Sequence, residues 1–169
     1  MKSSVAVLKV EDLLKELNRL GVEFVIIGGM AAVAHGSAYL TMDLDLCYSR
    51  TRENLEKLAE ALASFQPSLR GAPPDLPFRL DAATLRSGMN FTLSTNFGDL
   101  DILGELSGLG GYAEALLFSE EIELYGMRCR VLTLEGLIKT KKATGRPKDL
   151  MILPELEALL EIRKSQNKT

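Results

Sequence analysis

The spacing of hydrophobic and polar residues predicts an ordered succession of helices and strands. Apolar residues recur every three or four positions from Val10 to Leu20, which is typical of a helix with one buried face, and Gly21 ends that pattern. Continuous apolar runs indicate buried strands, and Thr51 is suited to cap the helix after the second run. For this part of the chain we predict strands over 22–27 and 40–48, and helices over 10–20, 30–35 and 51–64.

The second half of the chain continues this mixed pattern. Alternating apolar residues predict strands over 89–95, 99–103, 121–124 and 128–132. Thr133 is suited to cap a helix that ends at Gly145, and Pro147 to begin a last helix that reaches about Arg163. The tail over 164–169 is expected to fray. The segments expected to be loops are 67–77, also expected to be mobile, and 104–111.

Length and composition indicate one soluble domain. The chain has 169 residues, of which 46% are hydrophobic and 25% charged, and no linker divides it. We therefore expect residues 1–169 to form a single domain, with a core over about 10–132 and C-terminal helices over about 133–163. No apolar stretch reaches the roughly 18 residues of a membrane span, and the start lacks a secretory pattern, so we expect a cytoplasmic protein without a membrane partner.

Two pairs of aspartates interrupt apolar segments and point to a metal site. Asp43 and Asp45 alternate within one predicted strand, and Asp99 and Asp101 within another. Residues two apart in a strand face the same side, so each pair would bring like charges together. An edge strand with one wet face would also explain the first pair. The second pair favours a shared divalent cation, because Mg²⁺ takes carboxylate oxygens as ligands.

Three other features suit an anionic ligand. The pair Gly28-Gly29 separates a strand from a helix, where it is either a tight turn or a phosphate-binding turn. Lys141 follows Leu137 and Ile138 at helical spacing and is expected to point inward towards an anionic partner. Residues 128–148 include seven basic residues and one acidic residue, which indicates either a solvated face or a site for a nucleotide or RNA.

The remaining polar candidates allow two interpretations each. Asp149 either stabilises the start of the last helix or belongs to the site. His35 is the only histidine, so a histidine-based metal site is poorly supported, and a structural role is the simpler expectation.

The chain resembles the nucleotidyltransferase fold of the DNA polymerase beta superfamily in its order of motifs. The motifs are a buried strand, Gly28-Gly29, an alanine-rich helix, His35-Gly36, Thr41-x-Asp43-x-Asp45, the later Asp101, and the stretch from Leu137-Ile138-x-x-Lys141 to Arg146-Pro147-Lys148-Asp149. The resemblance is closest to small bacterial and archaeal proteins that include AbiEii-type toxin nucleotidyltransferases. With the predicted elements it implies an α/β (α+β) fold: a short, mixed, twisted sheet with helices packed mainly on one face, followed by C-terminal helices.

The resemblance also implies the transfer of a nucleoside monophosphate from an NTP to an acceptor hydroxyl. Asp43, Asp45 and Asp101 would hold two Mg²⁺ ions, or Mn²⁺, and Asp101 would also serve as general base. The other residues implied to bind the nucleotide are Gly28, Gly29, Thr41, Lys141 and Arg146, of which Lys141 would also be catalytic by neutralising the pyrophosphate. The acceptor is left open between RNA such as tRNA, a protein and a small molecule.

Two alternatives stay open at this point. The chain would bind a nucleotide or a partner without catalysis, as one half of a toxin–antitoxin pair with an antitoxin partner, or it would hold a purely structural cation. Two positions differ from the resembled pattern. Gly29 stands where many relatives have Ser, and Tyr39 where they often have Arg.

Overall fold

The computed structural model describes residues 2–39, 41 and 43–168, with side chains from residue 10 onward. The helices are α1 (Lys2–Arg19), α2 (Gly28–Ala34), α3 (Arg52–Ala63), α4 (Ala82–Ser87), α5 (Tyr112–Leu117), α6 (Leu134–Thr144) and α7 (Pro147–Asn167). The strands are β1 (Phe24–Ile27), β2 (Leu44–Tyr48), β3 (Ser68–Leu69), β4 (Asn90–Thr95), β5 (Gly98–Leu103), β6 (Glu105–Leu106), β7 (Gly110–Gly111), β8 (Ser119–Leu124) and β9 (Met127–Leu132). None of the described helices is long and apolar enough to cross a membrane.

Seven of these strands form one mixed sheet, as predicted. Their order is β3-β4-β5-β2-β1-β9-β8. The pairs β1–β9 and β2–β5 are parallel, and the other neighbours are antiparallel. Strands β6 and β7 form a separate small hairpin. The sheet therefore sets β2 and β5 side by side near its centre, with β3 and β4 on one side of them and β1, β9 and β8 on the other.

The two faces of the central strands differ in character. Leu44 pairs with Leu100 and Leu46 with Ile102, and all four side chains are fully buried in the hydrophobic core. The residues between them point to the opposite face, because side chains alternate along a strand. That opposite face carries Asp45, whose register partner on β5 is an aspartate as well. One face of these two strands thus packs in the core, and the other carries the acidic pair next to the buried Cys47.

The predicted helix ends are confirmed at several positions. The Thr51 side chain accepts a hydrogen bond from the backbone N–H of Asn54 at 3.3 Å, which caps α3. The Thr133 side chain caps α6 through the N–H of Gly136 at 3.1 Å. Gly145 ends α6 with a φ of 62°, the left-handed conformation that glycine adopts without strain.

The predicted strand over 40–48 is wrong at its start. Strand β2 begins at Leu44, so Asp43 precedes the strand. The backbone N–H of Asp43 donates to Thr41 Oγ1 at 3.2 Å, and this local contact replaces a bond to a neighbouring strand. Leu40 and Met42 lie outside the described residues.

Other differences concern short elements and the C-terminal end. The expected loops at 67–77 and 104–111 contain strand β3 and the β6–β7 hairpin. Helices α4 and α5 were not predicted, because six residues each are too few to show a helical period. Helix α7 continues past Arg163 to Asn167, since no glycine or proline interrupts it there, so the expected fraying from residue 164 is wrong up to that point.

Candidate active site

All of the predicted site residues line one cavity of about 740 Å³. They come from the β1–α2 junction, the approach to β2, the strands β2 and β5, and the two C-terminal helices. The residues are Gly28, Gly29, Thr41, Asp43, Asp45, Asp101, Lys141 and Arg146. A cavity of this size falls in the range typical of small-molecule and nucleotide sites.

Acidic side chains form one wall of the cavity. Asp45 on β2 pairs in register with Asp101 on β5, so their side chains stand next to each other on the same face of the sheet. Burial is the main cause that raises the pKa of Asp45 to about 6, and the neighbouring charges of Asp101 and Asp43 contribute to that rise. This wall therefore binds a proton more readily than isolated carboxylates do, and a cation placed there would relieve the repulsion.

The glycine pair allows the chain to pass close to these acids. Gly28 has a φ of +65°, and a Cβ atom there would collide with the Asp45 carboxylate. At Gly29 a Cβ atom would lie 2.9 Å from Thr41 Cγ2 and 3.0 Å from Thr41 Cβ. The Thr41 side chain therefore already fills the space that a side chain at position 29 would need.

Lys141 and Arg146 share one anionic partner, Asp149, which is fully buried. Lys141 Nζ lies 3.1 Å from Asp149 Oδ1, and Arg146 Nε lies 2.7 Å from Asp149 Oδ2. Thr144 Oγ1 also donates to Asp149 at 2.8 Å. Burial acts to raise the pKa of Asp149, but the hydrogen bonds from Arg146, Thr144 and Lys141 outweigh it and hold that pKa below its usual range.

The inward orientation predicted for Lys141 agrees with this arrangement. Its side chain is 22% exposed, and its charge lowers the pKa of Asp45 across the cavity. Asp149 is therefore part of the cavity wall as well as a residue in the first turn of α7, and its carboxylate fixes the two cations there.

Arg70 is a cavity residue that the sequence did not reveal. It follows β3 in the segment expected to be a loop, and its Nη2 atom lies 2.7 Å from Asp101 Oδ1. Its Nε atom lies 3.3 Å from Asp99 Oδ1, so Asp99 meets a cation of its own chain. In the sequence Arg70 is an isolated arginine among prolines and glycines, and its partners lie in a strand far along the chain, so no local pattern marks it.

The acidic wall offers carboxylate oxygens, the ligands that Mg²⁺ prefers, but too few of them, among the residues described, to complete a site alone. Within the described residues, no set of three His, Cys, Asp or Glu side chains is arranged to hold a metal ion by itself. Mg²⁺ is commonly bound by one or two carboxylates, with water and substrate phosphates as the remaining ligands. The adjacent carboxyl groups of Asp45 and Asp101 fit that mode of binding.

His35 lies outside the residues that line this cavity. Its ring is 3% exposed, and its Nε2 atom is 2.8 Å from the carbonyl oxygen of Leu132. Its Nδ1 atom is 3.3 Å from Arg163 Nη1, on α7. These contacts join α2 to β9 and α7, which agrees with the structural role expected for this histidine.

The basic stretch over 128–148 does not form one continuous binding surface. Arg128 lies across the β8–β9 pair from Glu121, at 3.9 Å, and Lys142 lies 3.4 Å from Glu157. Lys139 Nζ lies 5.2 Å from the centre of the Phe118 ring. Lys141, Arg146 and Lys148 therefore line the cavity, whereas Arg128, Lys139 and Lys142 make contacts away from it.

Comparisons with known proteins show the fold. No protein-family model and no curated protein matches the sequence. A Thermotoga maritima nucleotidyltransferase structure aligns at a TM-score of 0.54 with 15% identity, over 96% of this chain and 93% of that chain. The solution structure of the antibiotic-resistance factor ANT(2'')-Ia aligns at a TM-score of 0.55 with 17% identity, over 99% of this chain and 95% of that chain. The crystal structure of ANT(2'')-Ia with adenylyl-2''-tobramycin aligns at a TM-score of 0.56 with 16% identity, over 98% of this chain and 99% of that chain. The chain has the nucleotidyltransferase fold.

Proposed function

We propose that this protein is a Mg²⁺-dependent nucleotidyltransferase, which moves a nucleoside monophosphate from an NTP to an acceptor hydroxyl. The observation that carries the proposal is the meeting of Asp45 and Asp101 on adjacent strands, in a cavity that also contains Asp43, the glycine turn and Lys141. The fold neighbours support it, since ANT(2'')-Ia was solved with an adenylylated product, adenylyl-2''-tobramycin.

The metal ions would be held by the acidic wall. Asp45 and Asp101 would supply carboxylate oxygens, Asp43 would complete a second site, and triphosphate oxygens and water would fill the remaining positions. Two Mg²⁺ ions, or Mn²⁺, would neutralise phosphate charge during the displacement. Thr41 accepts the N–H of Asp43 and so fixes the approach of that carboxylate to the site.

The other cavity residues would bind and orient the nucleotide. The backbone amides of Gly28 and Gly29 would face the phosphates, because no side chain stands between that turn and Asp45. Lys141 and Arg146, held by Asp149, would neutralise charge on the departing pyrophosphate. Asp101 would accept the proton of the attacking hydroxyl while the hydroxyl oxygen bonds to the α-phosphorus. The bond between that phosphorus and the departing pyrophosphate would break in the same displacement.

The acceptor is one of three classes: an RNA such as tRNA, a protein side chain or a small molecule. Arg128 and Lys142 are exposed and each lies near one acid of this chain, so the basic stretch does not decide between RNA and the other acceptors. A toxin–antitoxin role with an antitoxin partner would be compatible with any of these acceptors and is tested by co-expression.

Calorimetric titration with NTP tests the proposed binding mode. The protein should bind at least one NTP in the presence of Mg²⁺ and only weakly with the metal chelated. The double variant Asp43→Asn with Asp45→Asn should lose this dependence, because amides do not replace carboxylates as Mg²⁺ ligands. The control Asp75→Asn makes the same chemical change at an exposed residue outside the cavity and should bind normally.

Two results would contradict the proposal. Equal NTP binding with and without Mg²⁺ would show that the acidic wall does not bind the nucleotide through metal ions. A melting temperature raised by Mg²⁺, with no effect of any NTP, would indicate a structural cation site instead.

A further inference from the structure

Arg70 lies in the segment 67–77, directly after β3, and its side chain contacts the acidic wall. Its backbone N–H donates to the carbonyl oxygen of Thr92 at 3.0 Å, which joins the end of β3 to β4. Its side chain reaches across to β5, where the guanidinium contacts Asp99 and Asp101. The same Nη2 atom also donates to the carbonyl oxygen of Leu93 at 2.9 Å. The guanidinium is thus held by three acceptors in a fixed orientation.

Only one of those acceptors belongs to the proposed metal site. Asp101 faces Asp45 across the strand pair, and its Oδ1 atom is taken by Arg70 at 2.7 Å. The other two acceptors, Asp99 and the Leu93 carbonyl, are not among the proposed metal ligands. A cation that takes over Asp101 would therefore leave Arg70 with two of its three partners.

The arrangement sets two cations in competition for the same carboxylate. A guanidinium is always charged and binds carboxylate oxygens well. Among the described residues no three acidic, histidine or cysteine side chains form a ready metal site, so a lone Mg²⁺ gains few ligands to offset the loss of this contact. Nucleotide phosphates would bring both further ligands and further negative charge.

We propose that Arg70 is a built-in counter-ion for Asp101 that a divalent cation must displace, so that metal loading depends on nucleotide. Asp99 and the Leu93 carbonyl keep the guanidinium beside the site once Asp101 has turned to the metal. The inference rests on the proposed function, and it assigns a purpose to Asp99, the first acid of the Asp99-x-Asp101 pair. Arg70 acts here as a positioning residue, since it works through Asp101.

The test measures metal affinity in the absence of nucleotide. Mn²⁺ binding is followed by electron paramagnetic resonance of free Mn²⁺, in the wild type and in Arg70→Gln. Arg70→Gln removes the positive charge beside the Asp101 carboxylate, which is 30% exposed, and should tighten Mn²⁺ binding by about fivefold or more. Arg52→Gln makes the same chemical change at an exposed arginine on α3, whose Nε is 3.4 Å from Glu56, and should leave the affinity unchanged.

A second variant guards against loss of the local fold. Arg70→Lys keeps the charge but cannot make all three contacts at once, so its Mn²⁺ affinity should lie between those of the wild type and Arg70→Gln. Adding a non-hydrolysable NTP should tighten Mn²⁺ binding strongly in the wild type and much less in Arg70→Gln, because the arginine no longer has to be displaced.

The outcomes separate this inference from the proposed function. Unchanged Mn²⁺ affinity in a folded Arg70→Gln, with normal metal-dependent NTP binding, would overturn the role of Arg70 and leave the function standing. Weaker Mn²⁺ binding in Arg70→Gln would also overturn it, since that would make Arg70 a support for the site. Absence of any metal effect on NTP binding in the wild type would overturn the proposed function first.

Discussion

Asp45 and Asp149 lie in one cavity but have opposite pKa shifts, and the difference is in their partners. Asp45 is partly buried beside two other carboxyl groups, so its charged form is disfavoured and its pKa rises to about 6. Asp149 is fully buried, yet Lys141, Thr144 and Arg146 donate to it, and its pKa falls. Asp45 thus lies among groups of its own charge, whereas Asp149 is surrounded by cations and hydrogen-bond donors.

Replacing Asp45 by Asn should stabilise the protein in a pH-dependent manner when no metal is added. The unfolded carboxyl group titrates near pH 4 and the folded one near 6, so wild-type stability falls as the pH rises through this interval. Asp45→Asn avoids this loss and should gain about 3 kcal/mol above pH 7, because each pKa unit corresponds to about 1.4 kcal/mol. Urea unfolding of both proteins at pH 4 and pH 8 measures the effect.

The gain should be nearly absent at pH 4, where Asp45 is protonated in the folded protein and about half protonated in the unfolded chain. The exposed Asp75→Asn serves as the control and should show no pH-dependent gain. An equal gain from Asp45→Asn at both pH values would mean that packing, and not charge, explains the change.

At the scale of elements, the turn between β1 and α2 is fitted to the segment before β2. Gly29 and Thr41 are in such close contact that a Cβ atom at position 29 would lie 2.9 Å from the Thr41 methyl group. The same threonine accepts the N–H of Asp43. One residue therefore closes the space beside the glycine turn and orients a carboxylate of the site.

Gly29→Ser should consequently destabilise the protein. Overpacking of this kind costs about 1–3 kcal/mol, because neighbouring atoms must move. The cost should be much smaller when Thr41→Gly has already opened the space. Chemical unfolding of the two single variants and the double variant gives the coupling, and additive effects would show that the two positions do not interact.

The helices and strands with regular patterns could be predicted from the sequence, but contacts between distant segments could not. Lys141 was predicted to face inward because Leu137 and Ile138 define the buried side of α6, which the structure confirms. Arg70 gave no such signal, since its partners Leu93 and Asp101 lie 23 and 31 residues further along the chain. Only the pairing of β3, β4 and β5 brings those groups together.

At the scale of the whole molecule, the cavity combines two parts of the chain with different tasks. The sheet presents the acidic wall on β2 and β5, and the helices α6 and α7 present Lys141 and Arg146 against it. Phosphate groups with bound metal would fit between opposite charges arranged in this way. The fold alone does not select the acceptor, because that choice depends on surfaces beyond the acids and the cations.

The most direct test of nucleotidyl transfer follows the label of the NTP. Each NTP is supplied with the label on either the α- or the γ-phosphate, together with Mg²⁺ and cellular RNA, protein or small-molecule fractions. We expect the α-label to become attached to one fraction and the γ-label to leave as pyrophosphate. Attachment should be lost in the Asp43→Asn and Asp45→Asn double variant and kept in Asp75→Asn. Transfer of the γ-label, or no α-label uptake in any fraction, would contradict the proposed reaction.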